Sequence, residues 1–310
     1  LRAPLVGIAA QPQACNSSHR WASMAAVART LAATLAYCCR AAAPSSSRRL
    51  VRTQATLPPT RDVDGVATLL KDGAKCVVML GAGASVAAGL PDFRTPGTGL
   101  YDTLEISGLP YPEAVFELDF FRTNPQPFYE LAKALWPTAD SRPTKAHKLV
   151  KLLADKDQLV RCYTQNIDSL ERAAGVPAEY IVAAHGNFDS ATCIATGEKV
   201  DAEALRRAIE DGTTDQFNAQ NGGLCKADIV FFGEALPDRF WASLREDFDD
   251  AELLLVIGTS LEVHPFASLI DLGTMPRVLI NRDRVGEHQP DVAFPPSMGK
   301  LSGGFDFNET

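Results

Sequence analysis

The sequence predicts an α/β protein, a doubly wound parallel Rossmann-like sheet carrying a small inserted module. Three observations lead there. Short apolar runs recur at 76–80, 159–163, 181–184, 229–232, 253–257 and 277–280, and each ends in a polar or glycine-rich loop. Unbroken apolar runs of this length mark strands buried on both faces, hence a parallel sheet. Helical patterns lie between several of them, at 146–154 and at 106–135 with breaks at its prolines, which is the alternation a doubly wound sheet requires. The stretch 189–226 breaks this rhythm, with one helical segment (202–209) among Gly, Thr, Asn and Cys, and reads as the inserted module. The domain plan is therefore one folded domain over 61–310, its larger part 61–188 and 227–310 and its small module 189–226.

Composition narrows the function. The chain has 310 residues, 46% of them hydrophobic and 22% charged, values of a globular protein that exclude a wholly disordered, collagen-like or coiled-coil chain. Residues 61–310 hold 23 basic against 38 acidic residues, a net charge of −15, so neither nucleic acid nor an anionic membrane is an expected partner. The longest weakly polar run, 23–39, is interrupted by Arg29 and is too short to span a bilayer. Seven widely spaced cysteines contain no C-x-x-C pair and read as reduced thiols.

The first 60 residues contain seven Arg and no Asp or Glu. Residue 1 is Leu and the first Met is Met24; from there to Thr60 the Ala-, Ser- and Arg-rich composition is that of a mitochondrial transit peptide. A secretory apolar segment over 31–39 ahead of Ala41-Ala42-Ala43, or a disordered tail in a cytoplasmic or nuclear protein, are the alternatives.

In a doubly wound sheet the chemistry sits in the loops after the strands. The first strand runs into Gly81-Ala82-Gly83-Ala84-Ser85, where glycines let backbone N–H groups approach a phosphate and Ser85 can donate another hydrogen bond. Such a loop alone also occurs as an ordinary tight turn. The nicotinamide dehydrogenase fingerprint fails, since Val86 stands where a third glycine is needed and Pro91 leaves little room for a long helix. A hinged loop follows, with Asp92, Phe93, Arg94, Gly97, Gly99 and Tyr101, able to close over a dinucleotide. The later strands end in Thr164-Gln165-Asn166-Ile167-Asp168, His185-Gly186-Asn187-Phe188, Gly233-Glu234, Gly258-Thr259-Ser260 and Asn281-Arg282. On an extended chain the side chains of Asn166 and Asp168 point to one face.

These ordered motifs (GAGxS, GLPDFR, TQNID, HG, DIVFFGE, GTSLEV) make residues 61–310 similar to the sirtuins, NAD-dependent protein lysine deacylases, and most similar to the branch of the main cytosolic and mitochondrial deacetylases. The resemblance implies that the acetyl-lysine amide oxygen attacks the nicotinamide ribose of NAD, which is consumed, and that O-acetyl-ADP-ribose results. It implies His185 as general base, an imidazole suited to that task at neutral pH, with Asn166 and Asp168 completing the catalytic set. Gln165, Ile167, Gly258, Thr259, Ser260, Asn281, Arg282 and Arg94 would hold the cofactor, and Phe93 would shield it from water. Val230, Phe231, Phe232, Gly233 and Glu234 on one side, and Leu261, Glu262 and Val263 on the other, would receive the acetyl-lysine peptide as an added strand, with Phe231 and Phe232 lining the acyl-lysine tunnel. Alternatives of the same resemblance are a weak or inactive NAD- or acyl-lysine-binding homologue and a mono-ADP-ribosyltransferase.

The pattern departs from the family in three places. Of the four cysteines that hold structural zinc in most sirtuins only Cys193 stands at its position; its partners would be Thr196 or Glu198, Asn218 and Asn221, and Cys225 lies too near the strand. One thiolate cannot hold such an ion, so no zinc is expected. Past a segment like 303–307 the family continues into a further strand, loop and helix, so the chain reads as shortened. Asn187 replaces the usual Ser or Thr after His-Gly.

Overall fold

The computed structural model describes residues 62–92, 97, 99–100, 109–137, 141–282 and 285, together with the backbone of 298–299. The expectations for 1–60, Phe93, Arg94, Tyr101 and 303–307 lie outside these residues. Among the described residues the strands are, in chain order, β1 Cys76–Leu80, β2 Leu159–Thr164, β3 Ile181–Ala183, β4 Gly186–Cys193, β5 Lys199–Val200, β6 Cys225–Ile229, β7 Leu253–Ile257, β8 Arg277–Ile280 and β9 Met298–Gly299.

Six of them form one parallel sheet in the order β3-β2-β1-β7-β8-β9. The reason lies in the side chains. In β1, Cys76, Val78 and Leu80 pack into one hydrophobic cluster while Val77 and Met79 pack into another, and β7 divides Leu253, Leu255 and Ile257 from Leu254 and Val256 in the same way. A strand that must bury both faces has no position for a polar residue. Helices Val63–Lys71 and Lys145–Asp155 cover the first face, through Val66, Leu69, Val150 and Leu153. Helices Asp238–Ala242 and Leu244–Asp250 cover the second, through Phe240, Leu244 and Phe248. Asp247 fastens the last helix to the sheet: it is buried and accepts from Arg161 Nε at 2.9 Å and Tyr163 Oη at 2.6 Å on β2.

The apolar run 229–232 is not one of the parallel strands. Its neighbourhood, β6, ends at Ile229 and pairs antiparallel with β4 in a separate three-stranded sheet of order β5-β4-β6. The polar segment Gly186–Phe188, expected as a loop, begins β4. Past Ile229 the backbone is claimed by three different partners: Val230 N donates to His185 O, Phe231 N to a Glu234 carboxylate oxygen, and Phe232 N to Phe116 O. A run whose donors go three ways cannot continue a ladder.

The second sheet has its own core. Phe188, Ala191, Cys193, Leu205, Ile209, Cys225 and Ile229 pack with Phe116, Phe121, Phe128 and Leu131 from further upstream. The upstream group comes from Pro112–Phe116 and the helices Leu118–Thr123 and Gln126–Leu135, the proline-broken pattern at 106–135. Two helices, Ala202–Glu210 and Thr214–Gln220, stand where the sequence indicated one. The second carries little apolar surface beyond partly buried Phe217. Among the described residues no helix is long and apolar enough to cross a membrane.

Strand order reverses between β1 and β7, the switch point where doubly wound sheets bind ligands. There the two loops touch backbone to backbone: Gly83 N donates to Gly258 O at 2.8 Å. A Cβ on Gly81 would lie 2.6 Å from Gly258 O, and one on Gly258, whose φ is +64°, would lie 2.3 Å from Ala84 N. Gly258→Ala is therefore expected to destabilise the fold by about 2–4 kcal/mol, from overpacking and left-handed strain together. A urea midpoint unchanged in that variant would contradict the fit of these loops.

Candidate functional site

The loop after β1 turns through two short 3₁₀ segments, Ala82–Ala84 and Val86–Ala88, the abrupt turn that Pro91 indicated. Its amides are mostly engaged within the chain: Gly81 N to Ile257 O, Gly83 N to Gly258 O, Ala84 N to Gly81 O and Ser85 N to Ala82 O. Ser85 does not offer its hydroxyl outward to a phosphate. It is 2% exposed, and its Oγ donates to Asp168 Oδ2 at 2.6 Å, because a carboxylate inside the fold is a stronger acceptor than solvent.

Asn166 Nδ2 donates to the same Ser85 Oγ at 3.1 Å. Asn166 and Asp168 thus meet on one atom, while Ile167 between them turns to the core of the second sheet, the alternation expected of an extended chain. Asp168 Oδ1 caps the next helix by accepting from Leu170 N at 2.9 Å. Gln165 Nε2 donates to Thr259 Oγ1 at 2.9 Å, tying the loop after β2 to the loop after β7. Loops from three strands therefore converge at the switch point.

His185 sits between β3 and β4, where the two sheets join. Its carbonyl accepts from Val230 N at 2.8 Å, its ring packs against Phe266 at a centroid distance of 6.2 Å, and its imidazole donates to the Gln165 carbonyl. Burial pushes the imidazole down to about 4, with the Gln165 carbonyl pulling the other way. At neutral pH the ring is uncharged. One nitrogen carries the hydrogen given to Gln165, so the other keeps its lone pair.

The two expected peptide edges are placed differently. Phe231 is 1% exposed, inside the aromatic cluster of the second core, and does not line an open tunnel. Phe232 beside it is 46% exposed. Val230, Gly233 and Glu234 border an open pocket of about 470 Å³ together with Lys199, Lys226 and Asp228. On the other side Leu261 is buried, with φ +55°, Glu262 is exposed and Val263 half-buried. Ser260 is exposed after β7, Asn281 and Arg282 follow β8, and Asp92 O accepts from Leu100 N at 2.7 Å.

In the second sheet Cys193 and Cys225 are direct cross-strand partners, and the Cys225 thiol donates to Gly223 O at 3.3 Å. A hydrogen bond from Thr196 holds Cys193 below the usual thiol range, while burial pushes Cys225 up to about 12. Of the other candidate ligands, Asn218 Oδ1 accepts from Cys225 N at 3.0 Å, and Asn221 Nδ2 donates to Phe217 O at 2.8 Å. Among the described residues no third His, Cys, Asp or Glu joins these two thiols, and two thiols alone do not fit a tetrahedral zinc.

Several residues here carried no clear signal in sequence. Thr144 and His147 form a reciprocal N-terminal cap on Lys145–Asp155, and Thr144 Oγ1 donates to Ala84 O at 2.8 Å beneath the first loop. The T-x-x-H spacing is a variant capping box that could have been noticed. Glu171, three residues past Asp168, is 1% exposed. Lys226 is 5% exposed and pairs with Glu234 at 3.0 Å, and nothing in its neighbours announces a buried lysine.

Residues 81–265 match the family model described as the Sir2 family. The chain is 48% identical over 244 residues to the NAD-dependent deacetylase sir2A of Dictyostelium discoideum, covering 77% of this chain and 45% of that protein. It is 42% identical over 253 residues to the NAD-dependent protein deacetylase sirtuin-2 of Danio rerio, with 79% and 65% covered. To the NAD-dependent protein deacetylase sirtuin-3 of Mus musculus it is 50% identical over 225 residues, with 71% and 66% covered. The chain thus spans from about half to two thirds of the length of these curated relatives.

Proposed function

The chain belongs to the Sir2 family, and from that premise we propose that it is an NAD-dependent protein lysine deacetylase, consuming NAD and an acetyl-lysine protein. The observation that carries this is the meeting of Asn166 and Asp168 on Ser85 at the switch point, next to an imidazole kept neutral by burial and oriented by the Gln165 carbonyl. NAD would supply the ribose carbon that captures the acetyl oxygen and the hydroxyl that finally takes the acetyl group. His185, through its free lone pair, would accept the proton of that hydroxyl. Asn166 and Asp168 would orient the sugar and the carboxamide, with the loops at Gly81–Ser85 and Gly258–Ser260, and Asn281, around the rest of the dinucleotide. Exposed Phe232 would lie along the acyl-lysine chain, between Gly233 and Val263.

The donor set at Cys193 and Cys225 supports a second sheet held without zinc, the Tyr129–Asn218–Cys225 hydrogen bonds and the aromatic core doing the cohesion. Elemental analysis is expected to find far less than one zinc per chain. The acid-free, arginine-bearing composition of 24–60 supports a mitochondrial address, which a fluorescent fusion of that segment would test.

The decisive assay incubates the full chain with NAD and an acetyl-lysine peptide and follows products by mass spectrometry. O-acetyl-ADP-ribose and nicotinamide in equal amounts are expected. ADP-ribose attached to protein would favour group transfer instead, and binding without products would favour a non-catalytic homologue.

A further inference from the structure

The second sheet sets two thiols opposite each other, and the proposed reaction uses neither. Cys193 closes β4, Cys225 opens β6, and the two are direct partners in the antiparallel register. The hydrogen bonds around them fix what kind of pair this is. Ile194 N donates to Leu224 O at 2.8 Å, so the adjoining pair is a hydrogen-bonded one. Cys193 N donates instead to Glu198 O at 2.9 Å, and Cys225 N to Asn218 Oδ1 at 3.0 Å. In an antiparallel ladder the two kinds of pair alternate, so Cys193 and Cys225 form a non-hydrogen-bonded pair. This is the closer kind, with Cα atoms about 4.5 Å apart and both side chains on one face.

That separation lies inside the range of about 4.4–6.8 Å that a disulfide spans, so the backbone has no need to move. Both side chains enter the same apolar cluster, as the register requires, and both are free thiols. The other two buried thiols among the described residues have no such match: Cys76 stands opposite Leu159, and Cys162 opposite Val78. We propose that Cys193 and Cys225 are a redox-active pair that closes into a disulfide on contact with a hydroperoxide and reopens with a dithiol, stapling β4 to β6 without a metal ion.

One peroxide takes two electrons from the two thiols. The Cys193 sulfur attacks a peroxide oxygen; an S–O bond forms as the O–O bond breaks, and the thiol proton leaves in a molecule of water. The Cys225 sulfur then attacks the Cys193 sulfur. The S–S bond forms as the S–O bond breaks, and the departing hydroxide carries off the Cys225 proton as a second water. Cys193 is the better placed to begin, because it lies next to the exposed turn at 195–198, which Gly197 N closes on Cys193 O at 2.8 Å. The Cys225 hydrogen is meanwhile occupied by Gly223 O at 3.3 Å.

The position of the link gives it a mechanical consequence. Pairing between β4 and β6 is interrupted between Gly186 and Ala191, so the ladder is held in two short sections, and the thiols stand at the end of one of them. A bond there also closes 193–225, with both helices of the module, into a covalent loop, which removes freedom from the unfolded chain. At their other ends the two strands adjoin His185 and Val230, which are themselves joined by the Val230 N–His185 O bond. The staple therefore braces the sheet on which His185 is mounted.

The inference rests on the register of this sheet and is independent of the proposed deacetylation. The reduced full chain is treated with hydrogen peroxide, the remaining thiols are blocked with N-ethylmaleimide in denaturant, and the unreduced digest is read by mass spectrometry. A peptide pair joining Cys193 to Cys225 is expected, and its loss after dithiothreitol. The thermal midpoint is expected to rise about 5–10 °C on oxidation and to return on reduction, with no rise in Cys193→Ser or in Cys225→Val, which keeps an apolar side chain in the core. Both thiols alkylated after peroxide, or Cys193 recovered as a sulfinic acid or linked to another cysteine, would overturn the proposal. So would one zinc per chain released as the two thiols oxidise, since the pair would then be metal ligands. A Cys193–Cys225 bond that leaves the midpoint unmoved would overturn the staple.

Discussion

His185→Ala is expected to slow deacetylation about 10²- to 10⁴-fold, the usual worth of a positioned general base, with the fold intact. The geometry makes the effect specific. The imidazole touches the Gln165 carbonyl and the Phe266 ring, and neither contact is needed to hold the sheets together, since Val230 N is bound by the His185 main chain. Loss of kcat with a nearly unchanged KM for NAD is the expected division. Burial has also moved the ring's proton uptake down to about 4, so the acid limb of kcat/KM belongs near that value and not at 6.5. Stability gives an independent check. An unfolded histidine takes up its proton near pH 6.5 while the folded one waits until about 4, so the unfolded chain binds more protons in that window and stability falls as pH is lowered through it. His147 adds a change of the same sign. His185→Ala should remove its own share, up to about 3 kcal/mol between pH 6.5 and 4, as read from urea midpoints. A variant that keeps its activity within tenfold would end the general-base assignment.

How much of this was visible in the sequence depends on whether one residue type could do two jobs. Runs such as 253–257 could only be doubly buried strands, since no polar residue interrupts them, and they appear with the expected bounds. Strand β6 was hidden because it reads Cys-Lys-Ala-Asp-Ile. Its Asp228 faces Lys199 and Thr192 at 2.5 Å each, and its Lys226 is buried over the Phe231 ring and against Ile229 O at 2.7 Å. A strand carrying ion pairs has no apolar signature. In the site, the positions of Asn166 and Asp168 on one face followed from the period of an extended chain. The direction of Ser85 did not, because the loop's glycines suggested an anion outside, whereas the strongest acceptor lies inside, on a residue 83 positions away. The place of Thr144 was silent for the same reason: its hydroxyl holds Ala84 O, 60 positions away, across the fold.

The two adjacent phenylalanines put the packing and the proposed substrate groove to a direct comparison. Phe231→Ala is expected to cost about 3–5 kcal/mol. Its ring makes edge-to-face contacts with Phe116, Phe121 and Phe128 at centroid distances of 6.0, 5.6 and 4.8 Å, and the Lys226 ammonium sits 4.6 Å above it. Removing it opens a void between the helices of 112–135 and β6, and takes away the π-face that helps stabilise a buried cation. Because Lys226 also pairs with Glu234, which holds Phe231 N at 2.7 Å, the damage spreads into the 230–234 segment. Phe232→Ala removes a ring that is 46% exposed and should change stability by no more than about 0.5 kcal/mol, while raising KM for an acetyl-lysine peptide about tenfold if the ring covers the acyl chain. The KM for NAD should stay where it was. Equilibrium unfolding and peptide kinetics on the two variants together are decisive: equal stabilities would refute the core placement of Phe231, and an unchanged peptide KM in Phe232→Ala would remove that ring from the groove.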